Sequence, residues 1–194
     1  MLVNMIGFNF AWFGLVYWGN LFIPVALLML AIHLLILSDN KNEAKLVLVI
    51  SVIGVSIDSM LNYSNFFIFM GSGYTPFWLI VLWACFASTV SHSLSFLKHS
   101  KLLQVSVGFF IAPLSYIVAG EKFNAVDFSY PLVETYLVLG VIWALLFIVI
   151  FSLKSLILVK SSADLVKSPN SPLNDVSFTE LKADKSADRE YPNV

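Results

Sequence analysis

Charge is what this sequence lacks. Only 12% of its 194 residues are Asp, Glu, Lys or Arg, against about 25% in an ordinary soluble domain. A water-soluble core needs a polar shell, and there is too little polar sequence here to build one. With 59% hydrophobic residues, the chain reads as membrane-embedded, with the lipid bilayer as its first partner. No basic domain and no nucleic-acid motif is present, which argues against DNA or RNA as a partner. Cysteine is nearly absent too. The single Cys85 forms no intrachain disulfide, has no metal-ligand spacing, and reads as a small packing residue in an apolar run. P-loop, dinucleotide and H-E-x-x-H patterns are missing, and Gly71-Ser72-Gly73 is too short for a phosphate loop. The hydroxyl-rich run from Ser88 to Ser95 lacks a G-x-S-x-G or S-x-x-K arrangement. Small hydroxyl residues are also what close helix packing in lipid uses. The first nine residues carry no Lys or Arg, and no small-x-small site stands at Trp18-Gly19-Asn20, so a signal peptide fits poorly.

What is abundant is apolar sequence in runs near the length of a spanning helix, about 20 residues. The pattern predicts an all-α integral membrane bundle of six transmembrane helices, at 2–18, 22–37, 44–63, 76–97, 102–119 and 132–159. Gly19-Asn20 supplies a turn in the first long stretch, and Pro24 suits the first turn of a new helix. One kinked helix over 2–37 is the alternative. Asp39 or Asn40 caps the third helix, with Glu43 in its first turn. Residues 64–75 and 121–131 read as loops, and Gly120 as a helix stop. Residues 160–194 cannot bury enough apolar area to offset the entropy of ordering, and read as a disordered cytoplasmic tail.

The few charges are segregated. Lys41, Lys45, Lys98, Lys101, Lys154, Lys160, Lys167, Lys182, Lys185 and Arg189 fall on one side of the six-helix arrangement, and only Lys122 falls on the other. Basic residues near spans stay cytoplasmic. The expected orientation is therefore that of a multi-span inner-membrane protein with both termini in the cytoplasm.

An ionisable or strongly polar group at membrane depth is costly and is a functional candidate by default. The candidates are Asn9, His33, Asp58, Asn62, His92 and Glu134. Asp58 lies about one turn from the outer end of the third helix, with Asn62 four residues on and on the same face. Their functional reading is a proton or cation site, and the plainer one a carboxylate hydrogen-bonded to neighbouring helices. His33, His92 and Asn9 lie at similar depth near the cytoplasmic side, so a cluster of the three is geometrically allowed. Two histidines can share a metal, but a zinc site wants three or four ligands. The nearest carboxylates, Asp39 and Glu43, fall in the loop region, so neither metal nor cofactor is expected. Interhelical hydrogen bonding is the plainer reading, and acid–base work on a lipid-derived substrate the sharper one. Glu134 suits a helix N-terminus, and if turned inward would meet Asp58.

The strings Asn9-Phe10-Ala11-Trp12-Phe13, Ala31-Ile32-His33-Leu34-Leu35 and Asp58-Ser59-Met60-Leu61 come in this order, followed by Trp83-Ala84-Cys85-Phe86-Ala87-Ser88-Thr89. Then follow Ser91-His92-Ser93-Leu94, Pro113-Leu114-Ser115-Tyr116 and Ala119-Gly120. Together they resemble a family of small bacterial integral membrane proteins classed only as a domain of unknown function, over about residues 4–150. The resemblance implies a polytopic inner-membrane protein and no established activity. His33, Asp58 and His92 match its polar marks. The expected role is an accessory, non-enzymatic membrane protein tied to envelope lipids or a membrane-protein partner. The alternatives are a small transporter using Asp58, Glu134 and His92, and a membrane enzyme acting on a lipid or isoprenoid.

Overall fold

The computed structural model describes residues 2–37, 41–70 and 74–166. Residues 1–154 form one compact unit, and a second begins at Ser155. The elements are α1 Leu2–Trp18, α2 Ile23–Ile32, α3 Lys41–Tyr63, β1 Phe67–Phe69, α4 Phe77–Thr89, α5 Lys101–Phe110, α6 Ala112–Phe123, β2 Val126–Phe128 and α7 Leu132–Val166. A π-helical turn, His33–Leu37, follows α2. The helical stretches Leu2–Ile36, Asn42–Tyr63, Lys101–Phe123 and Leu132–Ile157 are long and apolar enough to cross a membrane, and Phe77–Thr89 is a shorter apolar helix. Large apolar side chains stand exposed along them, among them Leu48 and Met60 on α3 and Val141 and Leu145 on α7. Lipid is the solvent that suits such a surface, and helices satisfy their own backbone polar groups within it.

The first of these stretches doubles back on itself. Asn4 Nδ2 lies 3.4 Å from His33 Nδ1, whereas straight helix would hold residues 4 and 33 about 43 Å apart. The reversal occurs at a tight 3₁₀ turn, Gly19–Phe22, where Gly19 takes a φ of +58° that costs a residue without a Cβ little. Asn20 Oδ1 accepts the Trp78 backbone N–H at 3.1 Å, which ties the turn to the start of α4. Pro24 opens α2, where a missing N–H has no helical partner to lose.

Helix α4 packs against α1, α2 and α3. Its Trp83 lies stacked on Trp143 of α7, with ring centroids 5.2 Å apart and planes 11° from parallel. Small residues make these approaches feasible. A Cβ on Gly54 would sit 2.2 Å from the Trp83 ring, and one on Gly108 would sit 2.7 Å from the Trp143 carbonyl. Close van der Waals packing of this kind drives helix association where lipid removes the hydrophobic difference.

Several expected boundaries are corrected. The fourth helix, expected over 76–97, ends at Thr89. Ser88 and Thr89 turn their hydroxyls onto the Cys85 and Phe86 carbonyls at 2.8 and 2.6 Å. Such back-bonding competes with the helical ladder. The Val90 carbonyl beyond it takes Lys154 Nζ at 2.9 Å. The fifth helix, expected over 102–119, is two helices broken at Ile111. Pro113 has no N–H for the carbonyl four residues back. The neighbouring Phe110 carbonyl instead accepts the Tyr136 hydroxyl at 2.9 Å.

Gly120 does not stop the chain. The helix runs to Phe123 and ends where Asn124 turns left-handed at φ 50°. Gly120 instead leaves space for the Phe128 ring and Val126 carbonyl, which a Cβ would approach to 2.5 and 2.8 Å. The two segments expected as loops contain β1 and β2, paired antiparallel with Phe67 opposite Phe128 and Phe69 opposite Val126. Helix α7 continues to Val166, so the expected tail begins with helical backbone. Its remainder from residue 167, and the proposed caps Asp39 and Asn40, lie outside the described residues.

Candidate functional site

Two polar constellations stand out, one at each end of α3. The first gathers side chains from three separated segments. His33 comes from the turn after α2, Glu43 from the first turn of α3, and His92 from the turn after α4. Glu43 Oε1 lies 3.2 Å from His33 Nε2 and 2.8 Å from His92 Nε2. The two imidazoles meet edge to face, with centroids 4.7 Å apart. The Glu43 and His33 side chains are 9% and 8% exposed, and that of His92 is 27% exposed, so the site is open on the His92 side.

A second layer orients these groups. Asn4 Nδ2 donates to His33 Nδ1 at 3.4 Å, which leaves the ring proton on Nε2, directed at Glu43. The Ser93 hydroxyl donates to Asn4 Oδ1 at 2.5 Å. Lys154, held on the Val90 carbonyl, is close enough to feel the charges of both Glu43 and Lys98. In this setting the arrangement offers two imidazole nitrogens and one carboxylate oxygen, all within 4.8 Å of one another.

The expected Asn9–His33–His92 cluster is therefore corrected. His33 and His92 do meet, but Asn9 is exposed and donates to the Met5 carbonyl of its own helix at 2.8 Å. Asn9 lies five residues past Asn4, about 140° round the helix, so only one of the two can face the histidines. Asn4 takes that place. The shortage of a third ligand is corrected as well: Glu43, in the first turn of α3 where the sequence placed it, reaches both rings.

The second constellation is closed. Asp58 is 1% exposed. Its Oδ2 accepts the Trp83 indole N–H at 2.7 Å, and its Oδ1 accepts the Tyr116 hydroxyl at 2.8 Å. These bonds join α3, α4 and α6, and one of them starts from the edge of the Trp83 ring that stacks on Trp143. Asn62 shares no bond with Asp58; its Oδ1 accepts the Phe69 backbone N–H at 3.3 Å and anchors β1 to the end of α3. Glu134 is exposed in the first turn of α7, so the inward meeting with Asp58 does not occur.

Along α3, Asp58 is 15 residues beyond Glu43, or about 22 Å by the helical rise. His92 is in contact with Glu43, so Asp58 and His92 do not serve one catalytic site, even through a bridging water.

Trp83, Tyr116, Asn4, Glu43 and Lys154 were not singled out as site residues from the sequence. For Glu43 a signal existed: it is a carboxylate on the same predicted membrane face as both histidines. For Trp83 and Tyr116 only the donor chemistry of buried indole and phenol groups pointed to a partner.

A profile of the family described as "Protein of unknown function (DUF2878)" matches residues 1–149. The chain belongs to this family. No curated protein and no solved structure matches the chain. Within this DUF2878 member, both constellations lie inside the matched residues, and Lys154 lies just beyond them.

Proposed function

We propose that this DUF2878 protein is an accessory, non-enzymatic component of a bacterial inner membrane, crossing it six times with both termini in the cytoplasm and supporting the envelope lipids. The observation that carries the accessory reading is the sealing of Asp58. Both carboxylate oxygens are taken by Trp83 and Tyr116, and the group ties helices together. A transport path through Asp58 and Glu134 has no such lock at its centre. The reversal at Gly19–Phe22 supports counting the first stretch as two crossings. Treating residues 77–99 as one crossing makes six. The lysines 41, 45, 98 and 101 then share the end that carries His33, Glu43 and His92, and positive charge favours the cytoplasm for that end.

The lipid composition of cells with and without the gene tests the role. The expected result is an altered envelope lipid profile in cells without the gene, restored by the wild-type protein. Proton-linked flux in proteoliposomes that disappears in Asp58→Asn would overturn the accessory reading. Reporter fusions at residues 100 and 129 test the threading: the first stays inside and the second is exported.

A further inference from the structure

We infer that His33, Glu43 and His92 form a binding site for one divalent first-row transition-metal ion of the zinc type. Three features of the cluster carry this.

The first is convergence. Three ligand groups from three separate segments, His92 lying 49 residues beyond Glu43, bring their donor atoms within 4.8 Å of one another. A tetrahedral ion with bonds of about 2.0–2.2 Å holds neighbouring donors about 3.4 Å apart. The carboxylate oxygen already lies 3.2 and 2.8 Å from the two imidazole nitrogens. The two imidazole nitrogens are within 4.8 Å of one another, and adjustment of His92, the most exposed of the three, brings the three spacings toward the tetrahedral value.

The second is chemistry. Two imidazoles and one carboxylate form a nitrogen-rich, borderline donor set that suits zinc, cobalt, nickel or iron. Magnesium and calcium take oxygen ligands and are disfavoured. Three protein ligands leave a fourth position, which the partial exposure of His92 opens to water or to an anionic group.

The third is the support behind His33. Binding through Nε2 requires that nitrogen to lose its proton and Nδ1 to carry one. Turning over the Asn4 amide accomplishes this, with the Ser93 hydroxyl rotating and drawing back slightly to accept rather than donate. Its Oδ1 then accepts from His33 Nδ1, and its Nδ2 donates to the Ser93 hydroxyl oxygen. Both orientations of the amide satisfy the same four atoms, so Asn4 and Ser93 accommodate the metal-free and metal-bound tautomers alike. Lys154, near enough to Glu43 for the two charges to interact, works against a second positive charge at the site.

The site does not depend on the lipid role. Its test is Co²⁺ titration of the purified, chelator-stripped full chain in detergent, followed by visible absorption. Wild-type protein should bind one equivalent with the intensified absorption of a four-coordinate site, be displaced by Zn²⁺ and be unaffected by Mg²⁺. Glu43→Gln and His92→Ala should lose the saturable signal while keeping the wild-type tryptophan emission, which reports folding. Asn4→Ala should weaken binding about 10- to 100-fold, and Lys154→Met should tighten it. Folded wild-type protein that binds no Co²⁺ would overturn the inference. So would one-equivalent binding that survives both Glu43→Gln and His92→Ala.

Discussion

Asp58 and Glu43 are carboxylates on the same helix, both nearly shielded from solvent, yet their neighbours give them different work. Asp58 receives only donors that cannot ionise usefully at neutral pH, an indole N–H and a phenol O–H, and its two oxygens are both committed. Glu43 faces two imidazoles, which can donate a proton, accept one or bind a metal. The closed site fixes helices α3, α4 and α6; the open one joins the turn after α2, the start of α3 and the turn after α4, and is partly exposed at His92. Depth in the bilayer thus does not by itself identify a working group. The nature of the partners does.

The comparison breaks most visibly at the closed site. Asp58→Ala leaves the Trp83 N–H and the Tyr116 hydroxyl without acceptors. Each buried orphan costs about 1–3 kcal/mol, so thermal unfolding in detergent should show the largest destabilisation of any single change. Asp58→Asn, which keeps one acceptor oxygen, should fall well short of it. Gly54→Ala places a methyl against the Trp83 ring that Asp58 holds, at 2.2 Å from the ring before relaxation. Overpacking of this kind costs about 1–3 kcal/mol, and the quenching or wavelength of tryptophan emission should change with it. Tyr116→Phe removes one of the donors to Asp58 and should cost about 1 kcal/mol. At the open site Glu43→Gln keeps an oxygen in place and should alter unfolding by no more than about 1 kcal/mol, while abolishing metal binding. Asn9→Ala, on an exposed face, should be close to neutral by the same unfolding measurement.

The helical class and the apolar stretches were legible because the bilayer imposes a length and a composition that show directly in sequence. The reversal at Gly19 was legible for a similar reason: glycine followed by asparagine has few other uses inside an apolar run. The end of α4 at Thr89 was not, since it depends on hydroxyls folding back on their own helix, and the same residue types also occur inside uninterrupted spans. The three-residue strands β1 and β2 were too short to show alternation. The histidine pair could be placed at one depth by counting residues. Glu43 was legible in the first turn of the third helix but, as a ligand, was grouped with Asp39 in the loop region, and a helix that starts at Lys41 brings it within reach of both rings. Asn4 and Asn9 look alike in a list of polar residues; only their angular position on α1 separates them.

The division of labour along α3 is tested most directly by one set of melting curves, with and without Zn²⁺, for wild-type protein, Asp58→Asn and Glu43→Gln. Zn²⁺ should raise the Tm of wild type and of Asp58→Asn by the same increment, although the latter starts lower, and leave Glu43→Gln unmoved. A Zn²⁺ increment that vanishes in Asp58→Asn, or persists in Glu43→Gln, would contradict the separation of a structural carboxylate from a ligand-binding one.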